Sequence, residues 1–418
     1  MTAPKSPEVL RLTGPKKYVP MIFRRVLRGL CRNLTNSRRS IVARRPHLPL
    51  NARKATLGVR GEAMTKRDYS MLGPDGKRAV AIRLATAEWY HTEAPRKLME
   101  DLMQRSDQPG IRDTVILYGC MVAFAATGIA LWPSLWSIPF WLAYGVLYGS
   151  ASDSRWHEAG HGRAFKTAWM NNAVYEIASF MIMRNSATWR WSHARHHTDT
   201  YIVGRGPEIA IMRPPAFGRL LLAFIGVADV INFLPRLVYN ALIGVHPTEK
   251  TFVPQSEWPK IVRVARISLA IYAATLALAL WMHSILPLML IGLPRMYGAW
   301  HFIMTGLLQH GGLADNVIDH RLNSRTVYMN PISRFIYWNM NYHVEHHMFP
   351  MVPFHALPAL HEAIKHDLPR PNASTGEAFS EMWPALRRQL AYEDYFLKRD
   401  LPVTAKPYRM DFHEGALG

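Results

Sequence analysis

The chain has 418 residues, 49% of them apolar, and a formal net charge of +20, long enough for one large domain or two ordinary ones. Its two cysteines, Cys31 and Cys120, lie far apart and exclude a disulfide framework, a thiolate zinc site and an iron–sulfur cluster. The charge excludes little because it is concentrated: residues 1–63 hold fifteen Lys or Arg against two acids, Glu8 and Glu62.

Such a basic, acid-poor leader could be a transit peptide or a lipid- or nucleic-acid-binding arm. It has no apolar periodic face, so it is read as a disordered extension or as translation from an upstream start, with Met64 opening the protein. No nucleic-acid partner is implied. Gly73-Pro74-Asp75-Gly76 is a turn, and residues 77–91 are predicted as a helix. Pro95 starts a second short helix in which Leu98 with Leu102, and Met99 with Met103, form i,i+4 apolar pairs. Ser106 to Gly110 is expected to break it.

Uncharged runs then cover Val115–Trp132, Leu135–Ser152, Ile267–Pro294 and Met296–Ala314. About 20 apolar helical residues cross a bilayer core, and several runs carry Trp or Tyr near their ends. The first two runs, parted only by Pro133 and Ser134, are predicted as one helical hairpin. The stretch Phe217–Val245 is apolar but interrupted by Arg219, Asp229 and Arg236, and is read as an interfacial helix pair rather than a span. A second hairpin is placed from Ile267, turning near His283 to Pro287 and returning through Arg295 to about Leu308. Arg295 then lies inside a span and must face the protein interior or a polar cavity. The expected fold is an all-α integral membrane protein with four transmembrane helices in two hairpins and a cytoplasmic helical cap. Under this topology the basic segment 153–266 and both termini share one face, which the positive-inside rule makes cytoplasmic. The chain divides into the leader (1–63), amphipathic cytoplasmic helices (64–112), a membrane domain with its cap (113–366) and a cytoplasmic tail (367–418).

Three short clusters carry the chemistry. They are His157-Glu158-Ala159-Gly160-His161, His193-Ala194-Arg195-His196-His197 and His343-Val344-Glu345-His346-His347. Residues at i, i+3 and i+4 share a helix face, so each cluster should point two or three imidazoles the same way. Neutral imidazole suits iron, zinc or copper, and eight converging rings exceed the needs of one ion. Two ions are the natural count. The clusters reach one side of the bilayer only if two spans separate the second from the third, which is a further reason for the second hairpin. Isolated histidines (His47, His91, His246, His283, His413) are read as structural. Glu158, Asp199 and Glu345 could orient ring N–H groups, or could be solvated or capping carboxylates. Trp189, Trp191 and Trp338 could line an acyl channel, although interfacial aromatics more often serve as anchors, and they are read so.

HEAGH, HARHH and HVEHH resemble the three histidine boxes of the membrane fatty-acid desaturase and hydroxylase family, over roughly residues 110–365. The resemblance implies a di-iron centre on the cytoplasmic side of a four-helix transmembrane bundle, with O2 as co-substrate. It also implies one more histidine ahead of the third box. His310, in Leu307-Leu308-Gln309-His310-Gly311-Gly312, suits that role better than His301 or His320. The metal ligands implied are His157, His161, His193, His196, His197, His310, His343, His346 and His347, the eight box histidines being also the catalytic set. Trp189-Arg190-Trp191-Ser192, Thr198-Asp199-Thr200 and Gly204-Arg205-Gly206-Pro207-Glu208 are similar to a bacterial branch, the desaturase-like oxygenase of rhizopine catabolism, which is associated with a Rieske-type ferredoxin. There is no His-Pro-Gly-Gly signature of a fused cytochrome b5 domain, so a separate electron donor, such as a ferredoxin and its reductase, is expected.

The function expected is O2-dependent desaturation of a membrane lipid or acyl substrate by an enzyme of a bacterial inner membrane. Removing two adjacent hydrogens gives a double bond and returning oxygen gives an alcohol, so a hydroxylase acting on a lipid or small molecule is the enzymatic alternative. A membrane metal transporter is the alternative from another class, although transporters place ligands near the bilayer midplane and these clusters lie outside the apolar runs.

Overall fold

The computed structural model describes residues 67–412 apart from Ala151. The basic leader, the Met64 start, His47 and His413 lie outside the described residues. Those residues are helical, with no strands; two isolated bridges, Thr326 to Tyr342 and Val327 to Asn372, are the only ladder-type pairings among them.

Helix α1 (Pro74–Ala81) begins as its sequence dictates, with Pro at the first turn and Asp75 beside the positive end of the helix dipole. It stops well short of residue 91 because Arg83 adopts φ 66, and a 3-10 turn, Leu84–Thr86, follows. Helix α2 (Arg96–Leu102) lies where expected, with exposed i,i+4 ion pairs from Arg96 to Glu100 and Lys97 to Asp101 that each contribute only a few tenths of a kcal/mol. Helix α3 (Asp107–Ala130) starts at Asp107, so the segment expected as a break before the first apolar helix is that helix's first turn.

Among the described residues two helical segments are long and apolar enough to cross a membrane: α3, and the segment Gln255–Trp281 that contains a later helix. A third span results if a bent pair is one crossing: α8 and α9 below pass the same length and composition test together but meet at 83°. The second apolar run forms only the 13-residue helix α4 (Ile138–Ser150). A π-helical turn, Ser152–Trp156, then leads into α5 (His157–Gly160). Helices α6 (Ala168–Met181), α7 (Ser186–Thr198), α8 (Phe217–Phe224) and α9 (Val227–Leu242) precede α10 (Trp258–Trp281). The chain turns at His283, φ 46, near the expected position. The return leg is not one helix but three, α11 (Leu286–Leu290), α12 (Pro294–Tyr297) and α13 (Ala299–His310). Pro287 and Pro294 each occupy a helix start, where a residue without an N–H can begin a helix but not continue one. Two of the four runs expected to span are therefore not single long helices: one is short and the other is divided. Beyond them lie α14 (His320–Asn323), α15 (Pro331–Tyr337), α16 (His343–Met348), α17 (Leu357–Ile364) and α18 (Thr375–Gln389).

The breaks are held by close backbone packing. A Cβ on Gly298 would collide with the Gly145 carbonyl, so α4 and the α12–α13 junction meet glycine to glycine at this point, the close approach that small residues allow between membrane helices. Gly226, at φ 68, makes the α8–α9 bend, and a side chain there would strike the Arg295 backbone. Arg295 itself is fully buried and turned inward. Its Nε donates to Asp229 at 2.8 Å, its Nη2 donates to the same oxygen and its Nη1 donates to the Gly149 carbonyl at 2.9 Å. The arginine that the sequence placed in a span thus ties α9 to the broken return leg and to α4.

The largest apolar core joins Trp141, Trp156, Tyr175, Trp338, Leu357 and Leu360. Trp338 stacks on Phe354 at 4.0 Å, donates to Asp113 at 3.0 Å and lies under the Arg155 guanidinium. It is neither a surface anchor nor a channel wall. Trp191 is exposed, while Trp189 faces a cavity described below.

Candidate metal centre

Each box reaches the centre by its own local device. The π-helical turn before His157 re-aims the end of the α4 segment, a distortion common where a helix serves a site. Helix α7 is capped by Asn185, whose side chain accepts from the Thr188 N–H at 3.3 Å while its amide donates to the Ile261 carbonyl of α10 at 2.8 Å. Box three with Met348 makes up α16, buried throughout.

Nine histidines form two groups. His157, His161, His193, His197 and His346 make the first, and His196, His310, His343 and His347 the second; in each, one ring nitrogen per residue lies within 4.8 Å of all the others. The boxes do not point all their rings one way, as the spacing had suggested. Box two sends His193 and His197 to the first group and His196 to the second; box three sends His343 and His347 to the second and His346 to the first. Helix geometry explains the split. Residues four apart are rotated by about 40° and converge, whereas adjacent residues diverge by about 100°. The HxxHH spacing therefore bridges two sites from a single helix.

Nε2 atoms meet in both groups. In the first, His157 to His346 is 2.7 Å, His346 to His197 3.2 Å, His197 to His193 3.3 Å and His193 to His161 3.0 Å. In the second, His310 to His343 and His343 to His347 are both 3.1 Å. Two nitrogens bound at right angles to one cation, each about 2.1 Å from it, sit roughly 3.0 Å apart. The Nδ1 partners agree with this reading. Glu208 accepts from His193 Nδ1 at 3.0 Å, and the Asn323 carbonyl accepts from His310 Nδ1 at 2.7 Å. Ionised carboxylates and carbonyls can only accept, so Nδ1 carries the proton and Nε2 is left to face the group. His347 Nδ1 meets the Thr200 hydroxyl at 3.3 Å. The donor set fits two cations that favour imidazole.

Burial, then repulsion between neighbouring rings, holds His157, His161, His197, His343, His346 and His347 well below the usual histidine range, and burial takes His196 to about 3. These rings are neutral at pH 7, as ligands must be. Glu208 is pushed up by burial but brought down further, to about 2, by its electrostatic and hydrogen-bonding contact with His193.

The carboxylates beside the boxes have distinct roles. Glu158 Oε1 lies 3.6 Å from His346 Nδ1, and its other oxygen accepts from the Phe354 N–H at 3.0 Å. Asp199 orients no ring; it pairs with Arg195 and Arg205. Glu345 accepts from Thr326 at 2.5 Å and from His361, which lies outside both groups. Glu208 was missed as an orienting residue, having been noted only within the Gly204–Glu208 tract. Its position fifteen residues from His193 gave no periodic signal. Of the residues competing with His310, His301 bonds Ser150 at 2.9 Å and His320 stacks on Trp89 at 4.2 Å; neither joins a group.

A cavity of about 420 Å3 opens on both groups, reaching His157 and His193 of the first and His196, His310 and His343 of the second. Its other walls come from α8, α9, α13 and the segment around Glu208.

Residues 130–378 match the profile of the fatty acid desaturase family. The chain belongs to that family. The matched segment contains all nine histidines of the two groups. Among curated relatives, the chloroplastic omega-3 fatty acid desaturase of Sesamum indicum is 23% identical over 278 residues, which is 61% of this chain and 60% of the relative. The chloroplastic sn-2 acyl-lipid omega-3 desaturase (ferredoxin) of Arabidopsis thaliana is 23% identical over 273 residues, with the same coverage. The desaturase-family chain thus spans less than two thirds of the length of these relatives.

Proposed function

We propose that this chain is an O2-dependent di-iron membrane oxidoreductase that introduces a double bond into an acyl chain, using electrons from a separate ferredoxin-type donor. The observation that carries the reading is the pair of histidine groups facing one cavity. In this reading His157, His161, His193, His197 and His346 hold one iron, and His196, His310, His343 and His347 the other. Two irons, when bound, supply the O2 activation needed to break an unactivated C–H bond. The chain's own residues do the rest. Glu208 and the Asn323 carbonyl fix ring orientation, burial keeps the imidazoles neutral, and the cavity walls place a carbon near the site while excluding water. The donor assignment follows the printed name of the Arabidopsis relative.

The broken segments α4 and α11–α13 complete two hairpins with α3 and α10 in this reading, giving four membrane passes. The box helices then form a cap on the cytoplasmic face of a bacterial inner membrane, the described residues ahead of α3 lie on that face and those from 367 to 412 form its tail. The test is incubation of purified protein with iron, O2, a ferredoxin with its reductase, and candidate acyl lipids, read by mass spectrometry. A product lacking two hydrogens is expected. Charged and amide groups in the cavity lining, Arg219, Asn232 and Arg236 among them, favour a second reading, hydroxylation of a lipid or small molecule, which would instead add one oxygen atom. Freely exchanging zinc with no O2 consumption would contradict both and favour transport.

A further inference from the structure

The cavity over the histidine groups is not uniformly apolar. Its inner end is made by buried histidines, and its middle by side chains such as Ile209, Leu220, Phe233, Ile303 and Leu307. The bent pair α8–α9 contributes three polar residues of a different kind: Arg219 and Asn232, both exposed, and Arg236, which is half-buried. Their exposure puts them at the mouth. Arg219 Nη2 donates to Asn232 Oδ1 at 3.5 Å, and Arg236 follows Asn232 by one helical turn, on the same face.

Glu249, buried and accepting from Asn240, lies within electrostatic reach of Arg236, but no acid pairs directly with the charge at this mouth. Among the described residues neither Arg219 nor Arg236 has a carboxylate within ion-pairing distance, whereas both acids of the lining are engaged elsewhere. Glu208 accepts from His193 and from Ser192 at 2.9 Å, and Asp229 accepts from Arg295. Outside the mouth the same helices and the bend between them expose Leu221, Ile225 and Ile231, the apolar face that an interfacial element presents to lipid. The pair is thus apolar outward and cationic inward.

We infer that the substrate is an amphiphile with one anionic head, a carboxylate or a phosphate, held by Arg219 and Arg236 while its chain runs down the apolar wall to the histidines. Guanidinium groups suit both oxyanions through paired N–H donors, and a partly enclosed site strengthens that contact over its value in water. The inference rests on the reading of this cavity as the substrate site. It narrows that site to acids over neutral lipids and makes the α8–α9 bend, created by Gly226, the element that selects the head.

The test uses purified iron-loaded protein in phosphatidylcholine nanodiscs, without O2 or an electron donor, and measures binding of labelled palmitate and of hexadecanol. Wild-type protein is expected to bind palmitate on the order of tenfold more tightly than hexadecanol. Arg219→Gln with Arg236→Gln should erase that preference and leave hexadecanol binding unchanged, while Arg219→Lys with Arg236→Lys keeps most of it. Equal binding of acid and alcohol by the wild type, or a preference that survives the double Gln change, overturns the inference. The wild-type comparison stands even if the variants fail to fold. Replacing the disc lipid with phosphatidylglycerol separates the sources: competition with palmitate assigns the site to a lipid phosphate, and no competition assigns it to a free carboxylate. Because no turnover is needed, an acid preference in protein that never oxidises a substrate would uphold the head-group site while defeating the proposed desaturation.

Discussion

The two histidine groups share helices and a cavity, yet they are supported differently. The first has five rings, one of them seated on the Glu208 carboxylate. The second has four, and the partners of its Nδ1 atoms are a backbone carbonyl for His310 and a hydroxyl for His347. A carboxylate beneath an imidazole makes the ring a stronger donor than a neutral acceptor does. Two sites built from one ligand type can therefore differ in affinity through the atoms behind the ligands.

The largest effect should come from removing a ring that only one group uses. His346→Ala should empty the first group and abolish turnover, while protein still inserts and one iron per chain remains by elemental analysis. His161→Ala and His197→Ala should do likewise, and full activity in any of the three would contradict the assignment. Glu208→Ala is expected to act next, weakening the first iron by 10- to 100-fold and leaving the second in place, as read by chelator titration. Equal loss from both groups would break the comparison. Thr200→Val should be smallest, loosening the second iron by about threefold in the same titration, since a 3.3 Å hydroxyl contact is weak.

The ligand types were legible in the sequence because histidines at i, i+3 and i+4 stand out whatever the tertiary structure. Their division between two groups was not, since it depends on where three helices converge. His310 was reached through family resemblance, and its Asn323 partner belongs to a distant loop. The apolar runs located α3 and the turn at His283, and the charge inside the return leg told that Arg295 must face inward. They did not show that the leg breaks at Pro294 as well as near Pro287, and the glycine contact that holds the break, Gly145 against Gly298, is set across the fold. Trp338 looked like an anchor for the same reason: its partners, Asp113 and Phe354, are invisible to local pattern.

The central claim, one cage holding two ions, is tested most directly by anomalous diffraction at the iron edge from crystals of iron-loaded protein. Two peaks are predicted, one within ligand distance of His157, His161, His193, His197 and His346, the other of His196, His310, His343 and His347. A single peak, or metal bound away from these nine rings, would contradict it.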